Sequence, residues 1–150
     1  MRQINPNPAS PAFYWSVRVY YEDTDASRVV YHAAYVKYFE RARTEWLRAL
    51  GFSQASLHDE LGVAFTVANI EVDFLRPGRL DDELQVAVSV EQVRRASLTF
   101  RQELHRKGEG SAPLARALVR IGCVSVETFR PCALPEAFMD HLKQTGGDAA

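Results

Sequence analysis

The sequence predicts an α+β domain in which one long helix lies against a face of an antiparallel sheet. Three observations predict it. A single segment, from Ala33 to Leu50, repeats apolar residues at spacings of three and four. Most of the chain after Gly62 alternates at period two. The strands so marked follow one another mostly through short turns, without intervening helices. A sheet covered on one side leaves edges and a second face to hide, so self-association is expected.

The elements follow in order. Pro6, Pro8 and Pro11 punctuate a polar start, read as a flexible tail over 1–12 with no apolar stretch of a secretory signal. Val17, Val19 and Tyr21 alternate with Arg18, Tyr20 and Glu22, which predicts a first strand ending near Asp25, where acidic residues poor in β propensity gather. Tyr35, Phe39, Ala42, Trp46 and Leu50 then form the inner stripe of the long helix. Arg41 and Glu45 are expected to pair on its wet side, and Gly51 to stop it. A shorter helix follows, with Ser53 as N-cap, Leu57 and Leu61 inward and Gly62 as its end.

Val63, Phe65 and Val67 share one parity while Ile70, Val72 and Phe74 share the other, so a β-bulge is predicted near Ala68-Asn69. Turns at Arg76-Pro77-Gly78-Arg79 and at Arg94-Arg95 flank a strand carrying Leu84, Val86, Val88 and Val90. The next carries Leu98, Phe100 and Leu104, and a last strand spans about Leu114 to Phe129. Pro135 opens a terminal helix through Leu142. The domain is thus placed over 13–143, with a flexible C-terminal tail over 144–150.

Composition narrows the function. Eighteen Lys plus Arg balance nineteen Asp plus Glu for a net charge of −1, so the overall field by which a nucleic-acid binder collects phosphates is missing. No apolar run approaches the ~18 residues of a membrane span. The two cysteines, Cys123 and Cys132, fit neither a disulfide framework nor metal-ligand spacing, which points to a reducing, cytoplasmic setting. His58, His105 and His141 stand apart from other metal-type ligands, and no nucleophile elbow, phosphate loop or His-Glu-x-x-His pair is present, so no metal or cofactor is expected.

What remains is the junction Tyr20-Tyr21-Glu22-Asp23-Thr24-Asp25-Ala26-Ser27-Arg28-Val29-Val30-Tyr31-His32, which leads into the long helix. Asp25 sits at a strand end. Seven residues later His32 stands at a helix N-terminus, whose free N–H groups favour developing negative charge. A carboxylate facing such a terminus can serve acyl transfer, as general base or nucleophile, while a backbone amide polarises the carbonyl. The bland alternative is that Asp25 caps a turn and His32 fills the helix entrance. Glu40 and Arg43, one turn apart on the helix flank, read as a structural pair.

This junction resembles the signature of the YbgC-like acyl-CoA thioesterases, in the 4-hydroxybenzoyl-CoA thioesterase branch of the hotdog fold. The likeness runs from about Val17 to Leu134 and includes Phe52-Ser53-Gln54, Arg79-Leu80-Asp81-Asp82 and Pro131-Cys132-Ala133-Leu134-Pro135. The resemblance implies a hotdog fold, an antiparallel sheet wrapped around one long central helix, with subunits joined edge to edge as a homodimer or paired again as a homotetramer. It implies hydrolysis of an acyl-CoA or acyl carrier protein thioester, coenzyme A being part of the substrate, and an association with the Tol-Pal system. It places the catalytic aspartate on Asp25, further active-site positions on Tyr21 and His32, and the carbonyl-activating amide on His32.

Where the family has Gly-Gly this chain has Ser27-Arg28, and Arg28 is disfavoured wherever a positive φ is needed. Arg94 and Arg95, like Arg76 and Arg79, are candidates for the coenzyme A phosphates, and Ser97 for the channel lining. A hotdog dehydratase and a noncatalytic module binding acyl-CoA or acyl carrier protein are the competing readings. His32 with Glu40 suits the dehydratase poorly, and the aspartate weighs against the module.

Overall fold

The computed structural model describes residues 12–109 and 112–145, so the N-terminal tail, apart from Ala12, and residues 146–150 lie outside it. Five strands, β1 (Phe13–Arg18), β2 (Val63–Phe74), β3 (Glu83–Val93), β4 (Ser97–Arg106) and β5 (Ala115–Ser125), form one antiparallel sheet in the order β1-β3-β4-β5-β2. Three helices accompany it: α1 (His32–Ala49), α2 (Gln54–Leu61) and α3 (Glu136–Thr145).

Helix α1 buries Tyr35, Phe39, Ala42 and Trp46 of the stripe its periodicity announced, with Leu50 buried at its end, and widens that stripe with Tyr38 and Leu47. They meet the inward residues of β3 and β4, among them Leu84, Val86, Val88, Leu98 and Leu104, in one continuous core. Fully burying each large side chain contributes roughly 1.5–3 kcal/mol, so this interface holds the helix to the sheet. On the wet side Arg48 pairs with Glu45 at 3.2 Å; Arg41, expected in that place, makes no ion pair among the described residues. Helix α2 is capped as its sequence requires, the Ser53 hydroxyl accepting from the Ser56 N–H at 3.0 Å. Gly62 closes it at φ +67°, a left-handed conformation. Leu57 is buried, while Leu61, expected inward, is 38% exposed.

The first strand lies earlier than its alternation suggests. Tyr21–Asp23 form a 3₁₀ turn because Asp23 folds back on Tyr20: its carboxylate accepts the Tyr20 N–H at 2.8 Å and its own N–H donates to the Tyr20 carbonyl at 3.0 Å. Short acidic side chains compete in this way for backbone groups that a strand would use. Val19 keeps its place beside the sheet by bonding to residues 81 and 82. The bulge in β2 lies between Val67 and Asn69 as predicted, and β5 ends at Ser125. Strand β2 pairs with β5 at the far edge and not with β3, its neighbour in sequence. The α+β hotdog architecture is therefore present, with β1 and β2 as open edges.

Candidate active site

Chain reversal between β1 and α1 builds the site. Asp25 N–H donates to the Val29 carbonyl at 3.0 Å, Arg28 N–H to the Asp25 carbonyl at 2.9 Å, and Thr24 bridges Val30. This is a small hairpin with a type I turn followed by a bulge residue that must adopt positive φ, a place usually held by glycine. Arg28 occupies it at φ +65°. One Asp25 oxygen accepts the Ser27 N–H at 2.8 Å, and the side chain is exposed. Aspartate favours this turn because its carboxylate reaches the N–H two residues on.

The hairpin's return strand delivers the chain to the tip of α1. Tyr31 N–H bonds the Asp23 carbonyl at 2.8 Å, and Val30 N–H bonds the Gly78 carbonyl at 2.8 Å. Gly78 is needed for close approach: a Cβ there would come within 3.0 Å of Val30 Cγ2, and its N–H donates to the Tyr35 hydroxyl at 2.9 Å. Burial holds the Tyr38 phenol in its neutral form, and the nearby Asp23 carboxylate pushes the same way.

No side chain caps α1, and the His32 N–H has no acceptor among the described residues. The His32 ring rests against Tyr31 and Phe74, at centroid distances of 4.4 and 6.3 Å. Within one chain Asp25 and His32 are not hydrogen-bonded to each other. They stand about 10 Å apart along the hairpin, at ~3.3 Å per residue. Tyr21 begins the 3₁₀ turn with its side chain 84% exposed.

One helical turn beyond His32, a cavity of about 420 Å³ opens between α1 and the sheet. Val36, Leu47, Phe65, Val67, Ile70 and Phe100 make much of its apolar wall, joined by Glu40, Arg43, Thr44 and Gln54. It follows one helix face, because positions 32, 36, 40, 43 and 47 lie above one another. On the strand side it runs along β2 from Ile70 through Val67 to Phe65, and Phe74, further along the same strand, meets the His32 ring. Val67 and Ile70 are 53% and 36% exposed, since α1 does not cover the β2 edge.

Glu40 and Arg43 do not form the expected pair. Arg43 turns to the sheet instead and donates to Gln102 Oε1 at 2.9 Å. The sequence hint was a charged pair beside an apolar stripe, but its partner is 59 residues away.

Arg94, Arg95 and Ser97 lie at the β3–β4 turn, at the other end of the sheet from Asp25. The length of β3, Glu83 to Val93, separates them, roughly 30 Å at ~3.3 Å per residue. Arg94 and Arg95 are exposed and Ser97 half-buried. Of the other turn arginines, Arg76 bonds the Ala112 carbonyl, and Arg79 is exposed. Among the described residues no cluster of three or more His, Cys, Asp or Glu has metal-binding geometry, and no helix is long and apolar enough to cross a membrane.

Comparison with known proteins adds to this geometry. The thioesterase superfamily profile matches residues 28–112. The acyl-CoA thioesterase YbgC of Haemophilus influenzae is 44% identical over 134 residues, covering 87% of this chain and 96% of that protein. The acyl-CoA thioester hydrolase YbgC of Escherichia coli O6:H1 is 45% identical over 132 residues, covering 88% and 96%. Among solved structures, a probable thioesterase from Bartonella henselae superposes with a TM-score of 0.77 at 33% identity, covering 83% of this chain and 99% of that one.

Proposed function

The chain belongs to the thioesterase superfamily and is a thioester hydrolase, and from that premise we propose that Asp25 and the His32 N–H together hydrolyse acyl-CoA to the free acid and coenzyme A. The observation that carries this reading is the uncapped tip of α1 standing one turn from an apolar cavity. A thioester carbonyl at the tip receives the free N–H as its negative charge develops, while the acyl group lies along the cavity. Asp25 acts as general base, taking a proton from the attacking water, or as nucleophile, forming an anhydride that water then opens. In both routes the carbon–sulfur bond breaks and the thiolate leaves with its electron pair. A thiolate is a good leaving group, so neither route needs a metal or a cofactor.

Two copies complete the site in this reading. Strand β2 is a long open edge carrying the exposed Val67, Ile70 and Phe74, a surface that pairing with a second β2 would cover. Antiparallel pairing about a two-fold axis reverses one sheet against the other. The β3–β4 turn of the second copy then comes to the end where Asp25 lies, which gives Arg94 and Arg95 access to the coenzyme A phosphates and Ser97 a place beside the channel. A homodimer, or a homotetramer made of two, is the expected assembly. An acyl carrier protein thioester offers the same reacting group as acyl-CoA. Two free cysteines suit a cytoplasmic location, and association with the Tol-Pal system rests on family resemblance.

The test is Asp25→Asn, with folding checked by circular dichroism and thiol release followed across acyl-CoA chain lengths. Loss of a general base lowers the rate about 10²–10⁴-fold. Hydrolysis at the parental rate by the folded variant refutes the assignment. Binding of acyl-CoA without turnover by the parent protein would instead favour the noncatalytic module.

A further inference from the structure

The cavity beside α1 contains a charge that hydrocarbon does not need. Arg43 lies on the helix flank between Phe39 and Leu47, and its Nη1 donates to Gln102 Oε1 at 2.9 Å. Gln102 is 1% exposed and its Nε2 donates to the Phe39 carbonyl at 2.9 Å. That second bond fixes the amide, because a carbonyl accepts only from the nitrogen end; the oxygen must face Arg43. The guanidinium is thus held in one orientation by a buried neutral group.

Among the described residues its other N–H groups have no protein acceptor. A guanidinium carries five donors, and among the described residues no carboxylate lies within ion-pair distance of Arg43. Burial works against its charge, offset only by the field of Glu40, which shares the cavity. Covering such a group with hydrocarbon leaves desolvated donors unpaired, which is costly. A ligand oxygen in the cavity removes that penalty. Glu40 sets the kind of oxygen: it repels a carboxylate but accepts a hydroxyl proton, so a hydroxyl satisfies both side chains.

On the thioesterase reading above, we propose that Arg43, positioned by Gln102, is a specificity residue that selects acyl groups bearing a hydroxyl at their far end over hydrocarbon acyl groups of the same shape. Arg43 lies eleven residues beyond His32, or ~16 Å along the helix axis, and helical side chains lean back toward the N-terminus. The hydroxyl therefore belongs at the distal end of the chain, well away from the thioester.

The experiment compares ω-hydroxyacyl-CoA with the isosteric acyl-CoA in which a methyl replaces the hydroxyl, over a series of chain lengths. The expected result is a preference in kcat/KM for the hydroxylated member, about tenfold or more at the length that reaches Arg43. Arg43→Met should abolish the preference. The double variant Arg43→Met/Gln102→Leu removes both polar partners and guards against a folding defect caused by an orphaned amide. No preference at any length in the parent, or a preference that survives in both variants, overturns the inference. Should neither substrate be hydrolysed, the thioesterase reading fails by itself. The dissociation constants of non-hydrolysable thioether analogues of the same pairs, measured by calorimetry, then decide the role of Arg43: a tenfold difference lost in Arg43→Met supports it, and equal affinities overturn it.

Discussion

Replacing Arg28 by glycine should stabilise the protein, although it deletes a whole side chain beside the site. Arg28 holds φ at +65°, and its exposed side chain makes no hydrogen bond or ion pair among the described residues. The left-handed conformation costs an L-residue about 1–2 kcal/mol, and the greater freedom of an unfolded glycine returns about 0.4–1 kcal/mol of that. Roughly 0.5–1 kcal/mol remains in favour of glycine, worth about 2 °C in Tm for a chain of this length. Arg28→Ala is the control, because alanine keeps the strain while losing the same side chain. Thermal unfolding of the three proteins at one concentration should show a rise for Arg28→Gly only. Equal shifts in both variants, or a fall for glycine, would refute the view that backbone strain is stored in this turn. A KM increase common to both variants reports a separate matter, contact between the guanidinium and the coenzyme A phosphates.

Other perturbations test the framework around the site. Phe138 is fully buried against Phe52, Phe65 and Trp46, so Phe138→Ala should cost about 3–5 kcal/mol and lower Tm on the order of 10 °C, read by calorimetry. Burial pushes the Cys123 thiol up to about 12, whereas Cys132 is only partly covered. Iodoacetamide at mildly alkaline pH should therefore label Cys132 first and Cys123 only on unfolding, as peptide mass spectrometry would show. The bond from Lys107 holds the Glu83 carboxyl below its ordinary value. Its folded value lies below the unfolded one, so this contribution is present above pH ~4.3 and lost as pH falls through the folded value. Lys107→Met should flatten the acid limb of stability against pH, and an unchanged limb would contradict the coupling.

The contrast between Ser53 and Tyr21 shows what the sequence made readable. Ser53, Leu57 and Gly62 specify start, buried face and end of α2 within ten residues, and every signal is local. The same holds for the parity switch at Val67–Asn69, which displays its bulge in the order of side chains. Tyr21 continued an alternating pattern, yet Asp23 captured the Tyr20 N–H and closed a turn, so a local side-chain bond overrode the period. Leu61 failed differently: it has the right spacing, yet as the last residue of α2 it stays 38% exposed. Periodicity assigns a face and cannot say how far the opposing layer reaches.

For the site the division is sharper. The placement of Asp25 in a turn and of His32 at a helix start was legible because the two are close in the chain, and the hairpin joins them through bonds spanning only a few residues. The setting of Arg43 was not, since it depends on Gln102 across the helix–sheet interface and on a cavity that exists only once β2 has crossed to pair with β5. Arg94, Arg95 and Ser97 stand at the end of the sheet away from Asp25 because β3 begins beside the end of β1 and runs the length of the sheet before it turns. In the dimer proposed above, a reversed second sheet brings the two together. The unaltered protein, diluted until it is monomeric, should therefore lose turnover even with Asp25 and His32 intact. Full activity in a monomer confirmed by sedimentation would place the whole site within one chain and leave the turn arginines without a part in it.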